Sequence, residues 1–144
     1  MSMNEGFLFR PFSDLTLLSF LGSTIRPLIQ PDDEIENSSY FIQMPPSGFV
    51  ERSYHKIAKE VIFVISGYGT AFLGNSILSL KKGDTMIIFP PTPHGFKAGD
   101  SGLEMISFLS SQVNSKRDFY SCSKEAIEDP IVLGGEWVEK SQQQ

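Results

Sequence analysis

Residues 60–94 read EVIFVISGYGTAFLGNSILSLKKGDTMIIFPPTPH. Val61 to Ile65 is a nearly continuous hydrophobic run, the pattern of a strand buried on both faces. Gly67 and Gly69 predict a turn after it. Thr70 to Leu73 and Ile77 to Leu80 flank Gly74-Asn75-Ser76, which is a hairpin signal. Lys82-Gly83-Asp84 marks another turn, and Thr85 to Phe89 is a strand stopped by Pro90-Pro91-Thr92-Pro93. Short strands punctuated this closely belong to a sandwich or a barrel.

The flanks extend the pattern. Upstream, Phe7 to Phe12, Thr16 to Phe20, Thr24 to Ile29, Tyr40 to Met44 and Val50 to Lys56 are aromatic and β-branched enough to be strands. Downstream, Leu103 to Leu109 is the last clear core strand. Ser123 to Glu128 is the one helical segment expected, with Ser123 as its N-cap, and a tail through Trp137 follows. The five phenylalanines Phe63, Phe72, Phe89, Phe96 and Phe108 are expected mostly in the core.

The 144 residues make one domain. Hydrophobic residues are 40% and charged residues 20%, so a packed core needs no metal or disulfide to form. A net charge of −5 argues against nucleic acid as a partner, because phosphate binding needs a basic surface. Cys122, the one cysteine, cannot make an intramolecular disulfide, so a reducing compartment and a cytoplasmic location are expected. The longest apolar candidate, Leu15 to Leu21, is interrupted by Thr16 and Ser19, so no membrane span is expected. Gly67-Tyr68-Gly69 lacks the Lys-Ser/Thr and the helix of a phosphate loop.

The chemistry concentrates on few residues. The chain has two histidines, His55 and His94, and Glu60 lies five residues after the first. Two imidazoles and a carboxylate on neighbouring strands can form a facial triad for Fe, Mn, Ni, Cu or Zn, with positions left open for substrate. A barrel supplies the convergence, because inward residues of different strands meet in one cavity.

Two stretches resemble the motifs of the cupins. Gly48 to Gly67 is similar to the first, with Glu60, six residues and Gly67 in the expected spacing. Gly83-Asp84 through Pro93-His94 is similar to the second. The resemblance covers residues 40–110 and implies an all-β double-stranded β-helix, or jelly-roll barrel, with a short C-terminal helix added. Residues 1–39 are then N-terminal strands serving as a dimer arm or barrel edge, and 111–144 a helix and tail packed on the barrel. The first motif normally has two histidines and this chain has one. Counted one way, Ser53 and His55 take those positions; counted the other way, Tyr54 and Lys56 do. Period-2 alternation makes the two registers exclusive.

Three functions follow. The first is a metal-dependent enzyme on a small molecule, of dioxygenase, isomerase or lyase type, with a divalent metal on His55, Glu60 and His94. The second is a metal-independent epimerase or dehydratase using His94 and Glu60, with Tyr54 and Lys56, as acid–base groups. The third is a small-molecule-binding protein without catalysis. Arg26, Arg52 and Lys97 are candidates to face a substrate anion. The family resemblance and the apolar N-terminal segments also imply a homodimer.

Overall fold

The computed structural model describes residues 6–122 and the backbone of residues 131–132. Its strands are β1 (Leu18–Phe20), β2 (Ser23–Pro27), β3 (Ser38–Met44), β4 (Phe49–Tyr54), β5 (Glu60–Leu73), β6 (Ser76–Lys81), β7 (Thr85–Ile88), β8 (His94–Leu109), β9 (Tyr120–Ser121) and β10 (Ile131–Val132). The expected segment Ser123 to Glu128 and, apart from the backbone of residues 131–132, the tail through Trp137 lie outside the described residues.

Two long bent strands organise the barrel. The first half of β5 pairs with the second half of β8, Glu60 opposite Leu109 and Val64 opposite Met105. Its second half pairs with the first half of β8, Gly69 opposite Ala98 and Leu73 opposite His94. Beyond the bend, β5 and β8 each continue into a second sheet. One sheet runs β1-β2-β3-β8-β5-β7 and the other β9-β4-β8-β5-β6, with all these pairings antiparallel. The two curl around one core that includes Ile25, Ile42, Ile62, Val64, Leu103, Met105 and Phe119. This is the jelly-roll barrel the sequence led us to expect.

Three expectations are corrected. Gly67 and Gly69 do not end a strand; they lie within β5, where its register against β8 shifts. Gly67 has φ +80°, and a Cβ there would lie 2.2 Å from the Gly102 carbonyl oxygen; one on Gly69 would lie 2.3 Å from that of Lys97. The glycines therefore allow two backbones to touch at the bend rather than reversing the chain. Val61 to Ile65 is not buried on both faces: Glu60, Ile62 and Val64 point inward, while Val61 and Phe63 are exposed. Of the five phenylalanines named above, Phe96 is buried, whereas Phe63, Phe89 and Phe108 are exposed.

Phe7 to Phe12 is likewise not a strand. Pro11 withholds a ladder donor, and the chain instead enters a short 3-10 turn at Phe12–Asp14. Side chains tether this segment: Arg10 pairs with Asp33, and Phe12 sits edge-on to Phe41 at 5.8 Å. No helix among the described residues is long and apolar enough to cross a membrane.

Candidate metal centre

The inward positions of the barrel build the site. His94 opens β8 directly after the proline-rich segment. Glu60 opens β5. His55 follows the last residue of β4. A register shift in β4 between Val50 and Ser53 brings Ser53 opposite His94. Ser53 and His55 therefore face the cavity, and the other register fails. Tyr54 does not line the cavity; its ring stacks on Tyr120 at 5.2 Å. Lys56 is exposed, with its ammonium 4.5 Å from the same ring. Alternation explains the placement of Tyr54, the β4 neighbour of inward Ser53, whereas Lys56 lies beyond the strand in the loop that follows it.

His55, Glu60 and His94 are buried and converge. Their candidate ligand atoms lie within 4.8 Å of one another. Nε2 of His55 is 3.2 Å from Glu60 Oε1, and Nε2 of His94 is 3.0 Å from the same oxygen. The far nitrogens are held by backbone. His55 Nδ1–H donates to the Asp118 carbonyl at 2.8 Å, and His94 Nδ1–H donates to the Thr92 carbonyl at 2.9 Å. Glu60 Oε2 accepts from the Ser107 hydroxyl.

These contacts determine what the cluster can hold. A carbonyl oxygen only accepts, so Nδ1 of each ring carries the proton. Each neutral imidazole then presents a bare Nε2 lone pair to a carboxylate oxygen, and lone pairs facing one another repel. A proton held between a ring nitrogen and the carboxylate relieves this, and so does a cation that receives all three lone pairs. The donor set of two neutral nitrogens and one carboxylate, each ring oriented by an outer hydrogen bond, fits a divalent transition metal.

The electrostatics follow the same contacts. Burial opposes the charge on His55, but hydrogen bonding to Glu60 and the charges of Glu60 and Asp118 outweigh it, so its pKa is raised. Burial likewise opposes the charge on Glu60, but the hydrogen bonds and charges of His55 and His94 hold its carboxyl well below the usual carboxylate range. Tyr40, on the cavity wall, donates to the Val113 carbonyl, and burial pushes its hydroxyl up to about 12.

Two site residues escaped the sequence reading. Ser107 is the polar member of the inward series Leu103, Met105, Ser107, Leu109, and that break in periodicity was a usable signal. Asp118 carries no such signal, lying 63 residues from His55 in a polar stretch. Its carboxylate accepts the backbone N–H groups of Lys56, Ile57 and Ala58, fixing the loop that aims His55.

The cavity holds about 40 Å³, room for a few water-sized groups. Apart from the cluster its walls are mostly apolar, with Phe20, Ile25, Ile42, Val50, Ile62 and Phe96 among them. Arg26, Arg52 and Lys97 do not line it. Arg26 bonds to Gln43 and covers the Phe12 ring on the outer face, and Arg52 and Lys97 are exposed.

Comparison with known proteins agrees with the barrel. Residues 40–109, just under half of the chain, match the family model of the cupin domain. It is 32% identical over 75 residues to an uncharacterized protein of Methanocaldococcus jannaschii, a match spanning 51% of this chain and 60% of that protein. Among solved structures it resembles oxalate decarboxylase of Bacillus subtilis, with TM-score 0.69 and 18% identity, over 83% of this chain and 33% of that one. It also resembles Streptomyces PAC13 with uridine, with TM-score 0.67 and 14% identity, over 80% of this chain and 89% of that one. One of these relatives is described with Mn(II) centres and the other as a nucleoside dehydratase. At such identities the likeness is one of fold.

Proposed function

We propose that the chain is a metal-dependent enzyme of dioxygenase, isomerase or lyase type that acts on a small molecule inside the barrel. His55, Glu60 and His94 hold a divalent transition metal. The observation that carries this reading is the pair of backbone-held Nδ1–H groups, which leaves two Nε2 lone pairs and a carboxylate oxygen aimed at one another. When bound, the metal supplies Lewis-acid polarisation or redox chemistry to a substrate in the open positions.

The chain's own residues orient and exclude. Ser107 holds one Glu60 oxygen so that the other faces the histidines. The apolar walls keep bulk water out and strengthen every charge interaction inside. Tyr40 keeps its proton and donates it to the Val113 carbonyl, so it fixes the cavity wall and is not a base. No Lys or Arg lines the cavity among the described residues, so a substrate anion meets its positive charge at the metal. The small volume limits the reacting group to a few heavy atoms. A chain with a single cysteine needs no oxidising compartment, and we assign it to the cytoplasm within the same reading.

Elemental analysis of the wild type and of His55→Ala, Glu60→Ala and His94→Ala tests this. Near-stoichiometric metal in the wild type, lost in all three variants, is expected. A wild type that stays empty after reconstitution with Fe, Mn, Ni and Zn overturns it. The second reading is acid–base catalysis without metal by Glu60 and His94. It is favoured by the direct contacts of both Nε2 atoms with Glu60, which make a path for a proton. Turnover that survives chelation would select it.

A further inference from the structure

Beside the metal cavity lies a second and larger chamber of about 580 Å³, a size within the range of small-molecule sites. The two spaces share Tyr40 and Val113 in their walls. The Tyr40 hydroxyl donates to the Val113 carbonyl. Ser38 Oγ accepts from the Val113 N–H at 2.8 Å and donates to the Ser111 carbonyl at 3.1 Å. These three bonds pin the segment after β8 to the start of β3 and hold the shared wall in place. The second chamber is therefore a space of its own, formed by the loop after β2, the start of β3 and residues 112–116.

Its polar groups are unequally committed. The Gln30 side-chain oxygen accepts from the Asp33 N–H, Asn114 Oδ1 accepts from the Lys116 N–H at 2.8 Å, and Gln112 Oε1 accepts from Arg117 at 2.8 Å. The carboxamide nitrogens of Gln30 and Asn114 have no partner among the described residues. Ser115 is the decisive group. It is 4% exposed and lines the chamber, yet its hydroxyl has no hydrogen-bond partner among the described residues. A polar side chain so deeply enclosed is ordinarily bonded. Lys116, next in the chain, has no ion pair among those residues, and none of the residues lining the chamber carries a carboxylate.

We propose that this chamber binds a small organic acid, with its carboxylate on Lys116, Ser115 and the Asn114 amide and its body against Leu18, Pro27, Ile29, Pro31 and Ile35. Free N–H and O–H groups beside oxygens that already accept suit a ligand group that only accepts, and a carboxylate is such a group. Asn37 is the exception: its Nδ2 donates to the Leu109 carbonyl at 3.4 Å and its oxygen stays open. One ammonium matches one negative charge. A phosphate dianion would keep an unpaired charge beside Asp32, Glu34 and Glu36, which flank the chamber on the loop after β2 without lining it. Those three are exposed, so water and salt screen them from a monoanion. The aliphatic and proline walls exclude an ion without a hydrocarbon body from most of the chamber.

Calorimetric titration of the full chain with benzoate tests the assignment. It is run on the protein as purified and again after chelation, so that the outcome is independent of the metal site. Benzoate is expected to bind with a Kd of about 1 mM or tighter in both preparations. In the isotope-labelled chain it should move the backbone amide resonances of residues 112–116. Lys116→Gln should weaken binding about tenfold, the effect of losing a hydrogen bond to a charged group, while Lys116→Arg stays within about threefold. Ser115→Ala should weaken it about threefold or more without loss of stability, because the hydroxyl it removes has no partner to lose. Benzyl alcohol, the same ring without the charge, should bind at least about tenfold more weakly. Absence of saturable benzoate binding below about 10 mM overturns the assignment. Benzyl alcohol or phenyl phosphate binding as tightly as benzoate overturns it as well, and so does unchanged affinity in Lys116→Gln. Binding that is lost on chelation also overturns it, since the acid then sits on the metal, and that result leaves the reading of the metal centre standing.

Discussion

Replacing Asp118 with alanine should damage the fold and the site by separable amounts. The carboxylate accepts from Lys56 N at 2.7 Å, Ile57 N at 3.1 Å and Ala58 N at 2.9 Å. Lys56 and Ile57 are exposed, so water replaces the lost acceptor there. Ala58 is buried, and its N–H is left unpaired at a cost of about 1–3 kcal/mol. Asp118 also has φ +56°, a left-handed conformation in which alanine is disfavoured by about 1 kcal/mol or more. With a small residue for the two solvent-facing bonds, Asp118→Ala should lose about 3–4 kcal/mol of stability in urea unfolding of the metal-free protein. Asp118→Asn keeps an acceptor and tolerates the left-handed backbone, so about half that loss is expected. The carbonyl that accepts from His55 survives in both variants, yet the loop that holds the ring in place is loosened. Loss of such an outer support lowers metal affinity by about 10–100-fold, readable by competition with a chelator. If Asp118→Ala falls in stability as stated but keeps its metal affinity within about twofold, the loop does not position His55 and the reasoning fails.

Ser107→Ala removes the donor to Glu60 Oε2 and should weaken metal binding about tenfold while costing about 1–2 kcal/mol; unchanged affinity would mean that the histidines alone orient the carboxylate. The metal-free protein should have a stability maximum in pH. Glu60, with its pKa lowered from 4.5, contributes fully above that value, and the contribution is lost as pH falls through the depressed folded value. His55, with its pKa raised from 6.5, contributes fully below that value, and the contribution is lost as pH rises through the folded value. The cluster therefore stabilises most between 4.5 and 6.5, and Glu60→Gln should show a flattened loss of stability on either side of this range in denaturation measurements. Of the four tyrosines, Tyr40 should ionise near 12 in an ultraviolet titration, and Tyr40→Phe should remove that late step.

How much of this was legible follows from how far apart the determinants lie. His94 and Glu60 could be read because each sits at the edge of a strongly marked segment, a proline run in one case and an apolar strand in the other. The orientation of His55 could not, since one residue of register separates it from Tyr54 and Lys56. The register is resolved by a shift inside β4 and by Asp118, neither of which leaves a mark near His55. The barrel itself was legible through strand spacing and turns. Its two longest strands were not, because Gly67 and Gly69 look the same in sequence whether they reverse a chain or let two strands touch. The apolar run Val61 to Ile65 was read as doubly buried, and hydropathy alone does not say whether the second cover comes from the same chain.

The same alternation ties the site to the outer surface. Sliding β5 by one residue against β8 would bring Val61 into the cavity and put Glu60 on the outer sheet, exchanging a ligand for a valine and a neutral apolar face for a charged one. Purely apolar pairs would oppose such a slip weakly, because Val61, Phe63 and Ile65 substitute well for Ile62 and Val64. Polar pairings oppose it more strongly. Ser66 reaches Glu104 across the β5–β8 pairing, Glu104 accepts from Gln43 across β8–β3, and Gln43 accepts from Arg26 across β3–β2. This chain of bonds crosses three strand pairings, and a slip at any one would strand a partly buried polar group. At the bend, the close backbone approach at Gly67 and Gly69 permits no side chain, so a shifted Tyr68 or Ser66 would collide there. The position of one buried carboxylate is thus enforced at two places along β5: by Ser107 and two imidazoles at its start, and by glycines and a polar ladder at the bend in its middle.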